Sequence, residues 1–507
     1  MSICELERGE LIRQSPNSGN KTVVVGAGFG GLACAALLAA NGHEVVVIEK
    51  NSGPGGRAQV FERDGFRFDM GPSWYLMPDV FEQFFSRFGK RPDDFYDLQR
   101  LDPSYRIFFG PEDWVDISAD LPKNVELFES MEPGAGKKLL EYVGIAKYQY
   151  EAAVGEFLYK DYRSILDFFS KRTLLEGRKL HVFESIDRYA KRFFKSEKLR
   201  RILEYSMVFL GGSPSNTPAM YSLLSHVDFN LGVWYPMGGM GSVVNALQTL
   251  AESHGARFVF NCEAQQLEVR GGRVVAVQTL DEAVAADTVV MSADYPHCEM
   301  DLLDPRHATY PARYWQKKVL APSALLIYLG LDKPLPRLLH HSLSFQHDWV
   351  KHFEAIFDSP AWPEKPSYYM CCPTKTDPSV APPGCENLVI LVPVAPGLDD
   401  RDDVRESFAE GIIDRLEELV GEPIRPFIVS RTLFSQRDFA GVFNAFRGTA
   451  LGLSHTLMQT AVFRPSHRSR RINNLFYTGQ YTHPGIGLPM ALISAEITSN
   501  IIEKGLR

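Results

Sequence analysis

The sequence predicts an α/β fold that opens with a Rossmann-type dinucleotide-binding unit, and three observations carry that prediction. Thr22 to Val25 is a β-branched run ending in glycine. The turn Gly26-Ala27-Gly28-Phe29-Gly30-Gly31 follows at once and leads into an Ala/Leu-rich helical segment, Gly31 to Ala40. A second apolar strand, Val45 to Ile48, ends on Glu49. Strand, turn, helix and strand together make a βαβ unit of about 30 residues, the size a dinucleotide fold needs.

Each part has a physical reason. An unbroken β-branched run suits a parallel strand covered on both faces. Asn41-Gly42 stops the helix. Within the turn, Gly26 permits the sharp change of direction, Gly28 lets backbone approach a pyrophosphate, and Gly31 lets helix and strand pack closely. Ala27 shares that turn, and the helix N-terminus offers free N–H groups and a positive dipole end to phosphates. Glu49, with Lys50 beside it, is placed to accept hydrogen bonds from a ribose hydroxyl. Many turns contain such glycines; the strand before, the helix after and the acid distinguish this one from an empty turn. Gly55-Gly56-Arg57 then suits a second close phosphate approach with charge-assisted bonds, the plainer alternative being a turn with a surface arginine. Phe68-Asp69-Met70-Gly71-Pro72-Ser73 follows.

The bulk properties bound the rest. A chain of 507 residues exceeds one hydrophobic core and suggests two or three structural units. A net charge of -8 argues against general nucleic-acid binding. The seven cysteines (Cys4, Cys34, Cys262, Cys298, Cys371, Cys372, Cys385) form no Cys-x-x-Cys pair, so reduced thiols in a cytosolic compartment are the simplest account. Met1 to Lys21 is polar and reads as a flexible leader without a signal-peptide core. The longest apolar run, Val319 to Leu331, is interrupted by Pro322 and falls short of the roughly 18 residues a membrane span needs.

From about Phe81 to Arg200 the pattern turns mixed and helical. Lys171 to Arg201 is rich in Lys and Arg, interleaved with Leu174, Leu175, Leu180, Val182, Phe183, Ile186, Tyr189, Phe193 and Phe194. From Asp187 the last three aromatics fit one helical face. This stretch is either a solvated helix with a core stripe or an in-plane amphipathic helix facing anionic lipid. Three strand-like segments follow between Arg257 and Val290: Phe258 to Phe260, Val274 to Val277 and Thr288 to Met291, with a hairpin turn at Gly271-Gly272. After an α/β stretch to about Arg447 come a strand, Leu475 to Tyr477, a Gly/Pro loop and a helix, Met490 to Lys504. His340, His341, His347 and His352 cluster, but no carboxylate or cysteine joins them at ligand spacing, so no metal is expected. His483 reads as a hydrogen-bonding part of the Gly/Pro turn, the alternative being a catalytic side chain; no other residue offers itself as catalytic. No Gly-x-Ser-x-Gly elbow is present.

The run from Val23 through Ser73 resembles the FAD-binding start of the phytoene desaturases and their amine-oxidase-like relatives. Gly232-Val233-Trp234-Tyr235-Pro236-Met237-Gly238-Gly239-Met240-Gly241 is similar to the desaturases' "GVWYPxGGxG" segment, and Gly479 to Pro489 to their C-terminal "G-x-x-THPGxGxP" signature. The resemblance implies a Rossmann-type FAD-binding domain assembled from discontinuous segments, 21–100, 232–300 and 450–507, behind the leader 1–20. It implies an α+β substrate domain from 101–130 and 301–449, and a helical, membrane-facing cap over 131–231. It makes Gly26, Ala27, Gly28, Gly31, Glu49, Lys50, Gly56, Arg57, Gly71, Pro72 and Ser73 FAD contacts, with Ala264 presenting backbone to the adenine. Gly479, Gln480, Gly487, Leu488 and Pro489 then approach the flavin; many relatives carry Asp or Glu where this chain has Gln480. The implied reaction introduces C=C bonds into phytoene or a related hydrophobic polyene, with hydride passing to flavin and a proton to a base that the motifs do not name. With no second nucleotide fingerprint, quinone or oxygen is the expected electron acceptor, and the expected place is the cytoplasm, peripherally on a membrane surface. Diapophytoene or later-step desaturation, isomerisation, saturation, amine oxidation and a flavin-free binding protein of the GDP-dissociation-inhibitor type stay open, as does the oligomeric state.

Overall fold

The structure, a computed structural model, describes residues 19–162, 181, 184–345 and 348–506. At one side lies a five-stranded, all-parallel sheet in the order Leu475–Tyr477, Thr288–Met291, Lys21–Val25, Glu44–Ile48, Arg257–Val259. Three remote parts of the chain therefore build one sheet. In its central strand Val24 faces the layer of the helices Phe29–Ala40, Met240–Ser253 and Leu488–Leu506, while Val23 and Val25 face the opposite layer with Tyr295, Trp315 and Tyr477. Cover on both faces is why the strand is valine throughout. The first helix is buried at every residue but Ala40, and its small side chains permit that close packing.

A seven-stranded mixed sheet forms the second unit, ordered Ile428–Phe434, Ser323–Leu331, Glu386–Val394, Tyr368–Cys371, His341–Ser344, Tyr105–Gly110, Asp113–Ile117. The longest apolar run of the sequence resolves as its strand Ser323–Leu331, buried at all nine positions. Leu325, Ile327, Leu329 and Leu331 pack on the side of the helix Asp402–Val420; Ala324, Leu326 and Tyr328 point the other way, into the core that meets the first unit. Between Arg257 and Val290 there are five strands rather than the expected three. The two additional ones, Gln266–Arg270 and Ala283–Ala285, are half-exposed hairpin partners without an apolar run to mark them.

The glycine block Gly238-Gly239-Met240-Gly241 has a structural task. Asp69 accepts the N–H groups of Met240 at 3.0 Å and Gly241 at 3.3 Å, so it closes the N-terminus of the helix Met240–Ser253. Burial pushes the Asp69 carboxyl up to about 6 against these bonds. A Cβ on Gly239 would stand 2.6 Å from the same carboxylate, which excludes any side chain there.

The helices Leu121–Met131, Ala135–Ala152, Ile186–Phe193 and Glu197–Glu204 cover the large sheet. Here the lipid-facing reading of the aromatic stripe is corrected. Tyr189 and Phe194 are each 1% exposed and pack on Phe128 and Tyr142, while Lys191 and Arg192 pair with Asp187 and Glu184 on the outer face. Leu174, Leu175, Leu180, Val182 and Phe183, with the basic run from Lys171, lie outside the described residues, as does His347. Among the described residues no helix is long and apolar enough to cross a membrane.

Candidate active site

A cavity of about 440 Å³ runs from the C-terminal ends of the parallel strands to the face of the seven-stranded sheet. That end of a parallel sheet is where helix N-termini and open backbone collect. Gly26, Gly28, Glu49, Lys50 and Ala264 line it on the side of the parallel sheet; Gly56, Arg57, Gly71, Pro72 and Ser73 continue the wall. Gly479, Gln480, Gly487, Leu488 and Pro489 close it from the C-terminal segment, where the helix Leu488–Leu506 presents its N-terminus. Beyond these the wall becomes apolar, with Leu326, Leu343, Phe345, Phe353 and Leu391 from the large sheet and its neighbouring helix.

Ala27 and Gly31 lie behind the wall rather than in it. Ala27 donates its N–H to Glu49 Oε2 at 2.7 Å, and a Cβ on Gly31 would come within 2.1 Å of the Gly26 carbonyl. Both hold the turn's shape without touching the cavity. Lys50 is committed elsewhere: its ammonium donates to the Gly441 carbonyl and Asn444 Oδ1, each at 2.7 Å, and lies 3.3 Å from Glu263. It straps the edge of the cavity to the helix Gln436–Phe443.

Arg57 reaches Asp294 at 3.4 Å and lies over the Phe443 ring. Asp294 is fully buried, and burial raises its carboxyl while Arg57 opposes that rise. This acid, just past the strand Thr288–Met291, escaped the sequence analysis; the available signal was its place at the C-terminal end of a recognised parallel strand.

His483 hydrogen-bonds rather than lining the cavity. Its side chain is absent from the cavity wall, and its Nε2 lies 3.0 and 3.1 Å from the carbonyls of Phe157 and Leu158. Burial lowers it to about 3, so it stays a neutral N–H donor that ties the C-terminal loop to the helical layer. The histidine cluster also differs from its linear reading. Pairing of His341–Ser344 with Tyr368–Cys371 sets Cys371 opposite His341, and ligand atoms of His340, His341 and Cys371 come within 4.8 Å of one another. Burial holds the Cys371 thiol up to about 12, so these remain neutral side chains in an apolar setting.

The wall fits a dinucleotide with a large planar end. A Cβ on Gly28 would meet only Ser292 Oγ, at 3.9 Å, and one on Gly479 would meet nothing within 4 Å, so both backbones stand open to the cavity. Gln480 Nε2 and Arg57 Nε are buried without a partner among the described residues, donors left for phosphate or ribityl oxygens. The model of the flavin containing amine oxidoreductases matches residues 29–502. The chain belongs to that family.

It is an FAD-dependent oxidoreductase. Among this member's relatives, the carotenoid 3,4-desaturase of Haloarcula japonica is 46% identical over 96% of this chain and 98% of its own. The zeta-carotene-forming phytoene desaturase of Myxococcus xanthus is 37% identical over 95% and 93%. A solved oxidoreductase from Methanosarcina mazei shares the fold at TM-score 0.61 and 16% identity, covering 95% of this chain and 100% of its own.

Proposed function

We propose that the protein is a carotenoid desaturase, taking a hydride and a proton from adjacent carbons of a polyene to create a C=C bond. The observation that carries this reading is the continuity of the cavity: one wall of open glycine backbone and unpaired donors suited to FAD, and an apolar wall suited to a hydrocarbon chain beside the flavin ring. FAD supplies the two-electron acceptor when bound. The chain's own part is to hold the polyene, exclude water and receive the proton.

Among carotenoid steps, the 46% likeness to a 3,4-desaturase favours a bond near one chain end over the central bonds of phytoene. A chain-end reaction needs only the terminus of the polyene to pass the flavin into the apolar chamber. Residues 21–100, 232–300 and 450–507 serve FAD, and 101–130 with 301–449 serve the polyene. Quinone or oxygen takes the electrons. Substrate enters from a membrane surface, and the exposed apolar side chains Val319, Met458 and Phe463, 43%, 63% and 36% exposed, support a peripheral contact, the Gln459 side chain next to Met458 bonding the Val319 backbone.

The test is product analysis. FAD-loaded protein and a quinone are incubated in liposomes holding either phytoene or an already conjugated acyclic carotenoid. Conversion of the conjugated substrate with a longer-wavelength product, and none of phytoene, supports the chain-end bond. Stepwise conversion of phytoene moves the assignment to the central bonds, and no conversion of either removes carotenoids as substrates.

A further inference from the structure

We propose that Tyr369 and His341, with Ser73, form a proton relay opening on the cavity, which receives the proton the polyene loses. This rests on the desaturase reading above. Tyr369 and Ser73 both line the cavity, and Ser73 directly follows Gly71-Pro72, which line the same wall. Tyr369 Oη stands 2.7 Å from Ser73 Oγ and 2.6 Å from His341 Nδ1. The sheet makes this arrangement: Tyr369 pairs with Leu343 and Cys371 with His341, so Tyr369 and His341 share one face and reach each other diagonally.

His341 is fully buried, and its Nε2 has no hydrogen-bond partner among the described residues. The Trp74 ring lies parallel to it, 4.4 Å between centroids and 9° between planes. A stacked indole stabilises an imidazolium more than a neutral imidazole. Burial pulls His341 well below the ordinary histidine range and Tyr369 well above the tyrosine range, so both rest neutral. A weak base suffices here, because an allylic cation is a far stronger acid than any imidazolium. Position, not basicity, sets the requirement.

Bound FAD would supply the two-electron acceptor for the hydride that one C–H of the polyene loses. The neighbouring C–H bond breaks, its electrons close the C=C bond, and its proton goes to Tyr369 Oη as the tyrosine's own proton moves to His341 Nδ1. The proton returns through Tyr369 when a quinone takes two electrons and two protons to become a quinol. Tyr369 is thus the catalytic residue, and His341 acts through it.

Two measurements test this. In histidine-labelled protein, ¹⁵N NMR with His341→Gln for assignment reads the resting tautomer, with or without FAD or substrate. The relay requires a bare Nδ1 accepting from Tyr369; a protonated Nδ1 overturns it. In anaerobic stopped flow with a carotenoid that wild type oxidises, Tyr369→Phe should slow flavin reduction by roughly 100-fold or more while leaving bound-flavin absorbance unchanged. His341→Gln, which keeps an acceptor for Tyr369 but is not basic, should also be slow; a wild-type rate in either variant overturns the relay. Wild-type flavin that no carotenoid reduces overturns the desaturase reading instead, and the tautomer still decides the relay.

Discussion

Glu49 Oε2 accepts the Ala27 N–H at 2.7 Å, so the acid ending the second strand holds the glycine turn that ends the first. Its other oxygen accepts the backbone and side-chain N–H of Asn51, each at 2.8 Å. Glu49→Gln replaces one charged acceptor with a donor facing donors. A charge-assisted hydrogen bond contributes about 1.5–3 kcal/mol, so FAD affinity should fall about 10- to 100-fold, read by titrating apoprotein with FAD.

Two glycines of one turn should fail differently. Alanine at Gly31 would overlap the Gly26 carbonyl, whereas alanine at Gly28 meets open cavity. Gly31→Ala should lower the apoprotein Tm, as overpacking of about 1–3 kcal/mol does. Gly28→Ala should leave that Tm unchanged and yield protein depleted of flavin. Calorimetry and flavin absorbance on both variants separate the effects.

Asp228 gives stability a pH dependence. It accepts Tyr105 Oη at 2.6 Å and Tyr205 Oη at 3.3 Å, yet burial pushes it from 3.8 up to about 7. The folded state holds this proton more tightly than the unfolded chain. Its stabilising contribution is therefore full below about pH 4 and lost as pH rises through about 7. Asp228→Asn keeps an acceptor for the tyrosines, so its Tm advantage over wild type should grow from pH 4 to 7 and level off above. Thermal denaturation across that range checks the slope.

Membrane contact should follow the exposed cluster, not the buried stripe. Met458→Asp with Phe463→Asp should reduce flotation with anionic vesicles and leave the unfolding free energy within about 1 kcal/mol of wild type. Phe194→Asp buries a charge among Phe128, Tyr142 and Phe193, and should unfold the helical layer whatever its effect on flotation.

What was legible in the sequence was local. The first βαβ unit is encoded by β-branched runs, glycines and caps within some thirty residues, and the strand Leu475–Tyr477 falls where its apolar triplet predicts. What escaped depends on pairing between distant segments. Nothing in the sequence near His341 marks Tyr369 or Cys371, because antiparallel strand register brings them together. Asp69 reads as part of a glycine-flanked segment until the helix beginning at Met240 is seen above it. His483 reads as a hydrogen-bonding turn residue, but nothing near it in the sequence marks its partners, the carbonyls of Phe157 and Leu158 in the helical layer. The aromatic stripe from Tyr189 to Phe194 has the spacing of any amphipathic helix, and periodicity does not say whether lipid or protein covers it.

The most direct test of the central claim is anaerobic mixing of FAD-loaded protein with a carotenoid in liposomes, following the flavin and polyene absorbance bands together. The account predicts bleaching of the flavin with a matching red shift of the polyene, one new double bond for each flavin reduced. A flavin that stays oxidised in the presence of phytoene and conjugated carotenoids alike would contradict it.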